Sequence, residues 1–202
     1  LLTIILLIFS TSLFASDRNW QKSEHNIDIK HNNFGLNIRQ YTQDDYDHIE
    51  FKYKLIKDVE VALRFAEEGD VKEKRPKLTH EMGKFGPVSL SHRLEYRTYE
   101  SDLKSDYMRY RLIFGTKYKM FWAKVQPRWK VSGEGVDTDV KIDDIKTSVG
   151  LKLNLNKHTT FKPYIEYLAD GEKNDYQKKS VMLGTSLGFK FCMIPSKGPN
   201  LP

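Results

Sequence analysis

The sequence predicts an all-β fold, an antiparallel up-and-down transmembrane β-barrel of about ten strands. Three observations lead there. Apolar and polar residues alternate with period two over most of the chain after residue 34. Short and long connections alternate between those segments, and aromatic residues collect near the segment ends.

The first sixteen residues, LLTIILLIFSTSLFAS, carry no ionisable side chain and read as a secretory signal peptide (1–16) cleaved near Ala15. The run is shorter than the roughly 20 residues a spanning helix needs. No later apolar run reaches that length, which excludes a helix-bundle membrane protein. Residues 17–33 are expected as an N-terminal periplasmic segment, 34–191 as the barrel and 192–202 as a C-terminal tail. The single cysteine, Cys192, rules out an intrachain disulfide, so stability must come from burial and hydrogen bonding.

Weak alternation at 34–41 places Leu36 and Ile38 opposite Asn37 and Arg39. HIEFKYKLI (48–56) sets Ile49, Phe51, Tyr53 and Leu55 against His48, Glu50, Lys52 and Lys54, and VEVALRFA (59–66) repeats the arrangement. A weak segment at 78–85 follows. VSLSHRLEYRT (88–98) and YMRYRLIFG (107–115) then carry Arg93, Arg97, Arg109 and Arg111 on one face. FWAKVQPRWKV (121–131) sets Phe121, Val125, Trp129 and Val131 against Lys124, Gln126, Arg128 and Lys130. Three further segments, 145–155, 161–167 and 181–191, complete ten, and Lys146, Lys152, Lys162 and Lys190 lie on their polar faces. Short turns are expected at 57–58, 86–87, 117–119 and 156–159. Long acid-rich loops are expected at 41–47, 67–77, 99–106, 132–140 and 169–177. Sorting loop length by rim with an even strand count is the pattern of bacterial outer-membrane barrels and puts both chain ends on the short-turn rim. Tyr41, Tyr99 and Tyr107 are expected in an aromatic girdle at one rim, and Tyr118, Phe121, Trp122 and Phe161 at the other. The last strand ends in Phe191, like the terminal aromatic of outer-membrane barrels, with an extra tail behind it.

Alternation alone does not say which face is inside; a lipocalin-like barrel would turn the apolar face inward. With the membrane order, the inner face holds fifteen basic positions against four acidic ones, Glu50, Glu60, Glu95 and Glu166. Ion pairing needs nearly matched acids, because an unpaired buried charge is costly. The excess therefore argues for a wet lumen occupied by anions, since rings of Arg and Lys select anions in pores. The residues expected to line the path are Arg93, Arg97, Arg109, Arg111, Lys124, Arg128, Lys130 and Lys152. The alternative is a lumen filled by a charge network that conducts little. Acids predominate in the loops, which suit divalent cations and lipopolysaccharide and oppose anion entry. The net charge of +6 would suit a polyanion, but export argues against nucleic acid.

The stretches VSLSHRLEYRTYESDLKSDYMRYRLIFG, FKPYIEY and SVMLGTSLGFKF, within residues 88–191, resemble the oligogalacturonate-specific monomeric porin family. The resemblance implies a monomer in the outer membrane of a Gram-negative bacterium, surrounded by lipid and lipopolysaccharide. It implies passive diffusion of acidic oligosaccharides along luminal Arg and Lys, with Arg93, Arg97, Arg109 and Arg111 as the closest matches. Family members have twelve strands, against the ten counted here. Two other classes compete: a structural or adhesive barrel with a plugged lumen, and a barrel enzyme acting on lipid A or phospholipid. The sequence favours a non-enzyme without cofactor or metal. No nucleophile elbow, phosphate loop or metal-ligand spacing occurs, and His92, the one oddly placed histidine, points away from its neighbour Ser91.

Overall fold

The computed structural model describes residues 22–41, 46–102, 104–133, 142–170 and 178–191. These residues form strands and turns without a helix. The strands are β1 (Lys22–His31), β2 (Phe34–Tyr41), β3 (Tyr46–Ile56), β4 (Val59–Glu68), β5 (Val71–Phe85) and β6 (Val88–Glu100), then β7 (Tyr107–Tyr118), β8 (Phe121–Gly133), β9 (Asp144–Leu151), β10 (Leu153–Asn154), β11 (Thr159–Asp170) and β12 (Lys178–Phe191). Each pairs with its chain neighbours except at β10. That two-residue piece carries β9 past Lys152 and pairs only with β11, while β9 pairs directly with β11. Eleven strands thus close the barrel, through a parallel pairing of β1 with β12.

The parallel seam follows from parity. An up-and-down barrel closes antiparallel only with an even number of strands. Residues 22–31, expected to lie ahead of the barrel, form the extra strand, with Ile27 and Ile29 outward and Glu24 and Asp28 inward. Ile27 is matched to Ile38 on β2 and Leu187 on β12. The start of β1 and the end of β12 therefore lie on opposite rims, not both on the short-turn rim.

Connections on the rim that follows β1 are tight: 32–33, 57–58, 86–87, 119–120 and 155–158. Asn32, Lys119 and Gly86 supply the positive φ at three of them. The other rim holds the longer connections, with one exception. The loop expected at 67–77 is a two-residue turn, Gly69–Asp70, with Gly69 at φ 56°, and residues 71–77 belong to β5. The signal was missed because Lys72 to Lys77 is polar on both faces. The expected loops at 132–140 and 169–177, the signal peptide and the tail lie wholly or mainly outside the described residues.

Burial is inverted relative to a water-soluble barrel. Among the described residues only Ala66, Ala169 and Met182 are buried apolar side chains. Glu24, Asn37, His48, Glu50, Glu73, Arg75, Lys77, Glu95, Arg109, Arg111, Arg128, Asp144 and Glu166 are all buried. The apolar set of every strand faces out. Phe34, Tyr53, Phe85, Tyr118, Phe121 and Phe191 form an exposed aromatic ring by the short-turn rim, with Tyr118 71 % and Phe85 65 % exposed. No matching ring of Tyr41, Tyr99 and Tyr107 faces out at the other rim. By register these three turn inward, as does Trp122, because they share parity with Glu24, Glu73, Arg97 and Lys124.

Candidate functional site, a charged barrel interior

The inner face has two levels. Toward the long-loop rim it is packed with ion pairs. Arg93 on β6 lies directly across from Arg111 on β7, which lies across from Arg128 on β8. Like charges opposite one another repel, so this rung requires carboxylates beside it. Glu95, with no exposed side-chain surface, accepts from Arg111 at 2.6 Å and has Arg93 and Arg97 at 3.8 and 3.9 Å. Asp143 and Asp144, at the entry to β9, take Arg109 at 2.7 Å and Arg128 at 3.1 Å. The Tyr107 ring sits amid the cations, with Arg97, Arg109 and Lys130 at 5.2, 5.3 and 5.6 Å from its centre.

Two further clusters continue round the wall. Glu50 accepts from Arg64 at 2.7 Å and from Lys77, with Lys52 at 3.3 Å, while Glu73 is paired with Arg75. Across the seam, Glu24 pairs with Arg39 at 3.1 Å and accepts from the Tyr164 hydroxyl, and Glu166 pairs with Lys146. Tyr164 can lie flat there because its neighbours on the rung are Gly150 and Gly184. A Cβ at Gly184 would overlap the Tyr164 ring. Even in this packed level, the Nε atoms of Arg39, Arg97, Arg109, Arg111 and Arg128 have no protein acceptor.

Toward the short-turn rim the interior changes character. Lys30, Lys117, Lys124, Lys152 and Lys162 make no ion pair among the described residues, and Lys30, Lys117 and Lys124 are exposed although they sit on the inner face. Gly115 and Ser148 flank Lys124 and Ser186 lies across from Lys162, while Trp122 lies across from Lys117 and Lys190 from Lys30.

All eight residues expected to line the interior lie on the inner face. The structure divides them. Arg93, Arg97, Arg109, Arg111, Arg128 and Lys130 belong to the paired level, Lys124 and Lys152 to the open one. The expected excess of cations persists, but acids form a larger share of the inner face. Glu24, Asp28, Glu73 and Asp144 join the inner acids, and Arg75, Lys77, Lys30 and Lys117 join the bases. What the alternation missed was the polar strand ends, and two signals could have found them: the Gly69–Asp70 hairpin turn and the Ile27, Ile29 alternation before Asn32.

His92 points outward, as expected, and its ring nitrogen lies 3.0 Å from that of His80, its direct cross-strand neighbour. Its ring also lies 5.9 Å from that of Tyr110, centre to centre. Among the described residues no three His, Cys, Asp or Glu side chains converge as metal ligands. No protein-family model matches the chain, and no curated protein sequence is significantly similar to it.

Proposed function

We propose that the chain is an outer-membrane β-barrel of a Gram-negative bacterium that lets small anionic solutes diffuse through its interior, as a porin does. The single observation that carries this reading is the inversion of burial: thirteen or more charged and polar side chains inside, and a nearly continuous apolar wall outside. In water that wall would be an aggregation surface far beyond the few hundred Å² that soluble monomers tolerate. In a bilayer it matches the outward apolar band, about 25 Å tall, of a β-barrel.

Anions are favoured by the lysines of the open level, which make no ion pair among the described residues, and by the Arg Nε donors left over in the packed one. The resemblance over residues 88–191 adds acidic oligosaccharides as candidate solutes. Reconstitution into planar bilayers under a KCl gradient tests the reading. The expected result is a stepwise conductance with a reversal potential on the anion side; a cation-side potential overturns anion selectivity. The competing reading, a closed structural barrel, rests on Glu24, Glu50, Glu95 and Asp144, which tie the arginines of the packed level together. Absence of any conductance would favour it.

A further inference from the structure

We propose that the open level binds a multivalent oxyanion of the phosphate class. Lys30, Lys117, Lys124, Lys152 and Lys162 each lie within three residues of a strand end at the short-turn rim or in the break after β9. The barrel sets these lysines of β1, β7, β8, β11 and the break after β9 on the inner face near one rim. Lys124 shares this inner face with Arg93, Lys162, Lys117 and Lys52. Lys162 faces Asp28 first, and beyond it Lys30, Lys152 and Lys117. The Asp28 carboxylate is already engaged, accepting from Asn37 at 2.9 Å and from Ser186 at 3.0 Å. Glu60 lies directly across from Lys54 on the neighbouring strand.

Such a group of like charges is unfavourable without a counter-charge. A monovalent ion answers one lysine; a triphosphate answers several at once. Lysine rather than arginine sets the chemistry. The arginines, whose planar forks suit carboxylates, are committed to Glu95, Asp143, Asp144 and Glu24, while the lysines are point charges that suit compact phosphoryl oxygens. Gly115 and Ser148 lie directly across from Lys124, and Ser186 from Lys162, so no acid stands opposite either lysine on its rung.

This site rests on the inner face being wet, not on conduction. Trp122 reports on it, because the Lys124 ammonium stands 5.8 Å from the centre of its ring. The test is a titration of the folded barrel in detergent with inorganic triphosphate, followed by tryptophan fluorescence, with sulfate at matched ionic strength as the reference. A saturable change is expected at a concentration at least tenfold below that of sulfate. The K124Q/K162Q double variant should raise the half-saturating concentration tenfold or more. Removing repelling charges leaves its fold intact, as its β circular dichroism will show, and K74Q on the outer wall should change nothing. No saturable response, or an unaltered one in the double variant, overturns the site. A barrel that binds triphosphate but passes no current removes the channel and leaves the site standing.

Discussion

Glu95→Gln is the most informative single change. The carboxylate has no exposed side-chain surface and lies 2.6 Å from Arg111, 3.8 Å from Arg93 and 3.9 Å from Arg97. Each such pair is worth about 4 kcal/mol at 4 Å with an effective dielectric constant of 20. Most of that is offset by the cost of taking the ions out of water, so the attractions do not simply add. Once the negative charge is gone, the Arg93–Arg111–Arg128 rung keeps its repulsion with one fewer carboxylate. The amide can still accept one hydrogen bond. Breaking a buried pair from one side costs about 3–5 kcal/mol, and a loss in that range is expected. The assay is reversible urea unfolding of the barrel in phosphocholine vesicles, extrapolated linearly to water. The companion variant E95Q/R111M, which removes both members of the strongest pair, should regain most of the loss. A loss below about 1 kcal/mol, or a companion no better than the single variant, would mean that water reaches this carboxylate and that the packed level is open.

Two other changes probe the wall. Gly184→Val should cost about 1–3 kcal/mol or block folding, because its side chain meets the Tyr164 ring, and thermal unfolding will show it. Replacing His80 and His92 together by leucine removes a polar pair from the outer apolar surface. In a bilayer this should raise stability by about 1–2 kcal/mol, since polar side chains facing hydrocarbon are costly. A net destabilisation in urea unfolding would show that the outer face of β5 and β6 does not meet lipid.

Much of the fold was legible wherever the two faces of a strand differ in polarity. The 48–56, 88–98 and 121–131 segments have apolar residues on one side and charges on the other, and each is a strand. Legibility failed where this contrast is missing. Residues 71–77 carry Lys72 and Lys74 outside and Glu73, Arg75 and Lys77 inside, so a strand resembled a solvated loop. The ends of β1 and β9 hid Glu24 and Asp144 for the same reason. Because the overlooked residues include acids, the interior looked more uniformly cationic than it is. The eight expected residues fell on the correct face, since parity fixes facing. Their division into paired and unpaired groups could not be read, because it depends on which strands are neighbours across the seam.

The odd strand number has a mechanical consequence. Joining the first strand to the last links positions such as His25 and Thr185, 160 residues apart, with no tight turn to hold them in register. Every other junction of the wall except the β8–β9 and β11–β12 connections is a nearby hairpin. Parallel pairing is also slightly weaker per residue than antiparallel pairing, and its long closure carries the largest entropic cost. The wall therefore has a zip, the last line to fasten during assembly and the first to part under strain, with Ser186 and Asp28 as one of its few side-chain clasps.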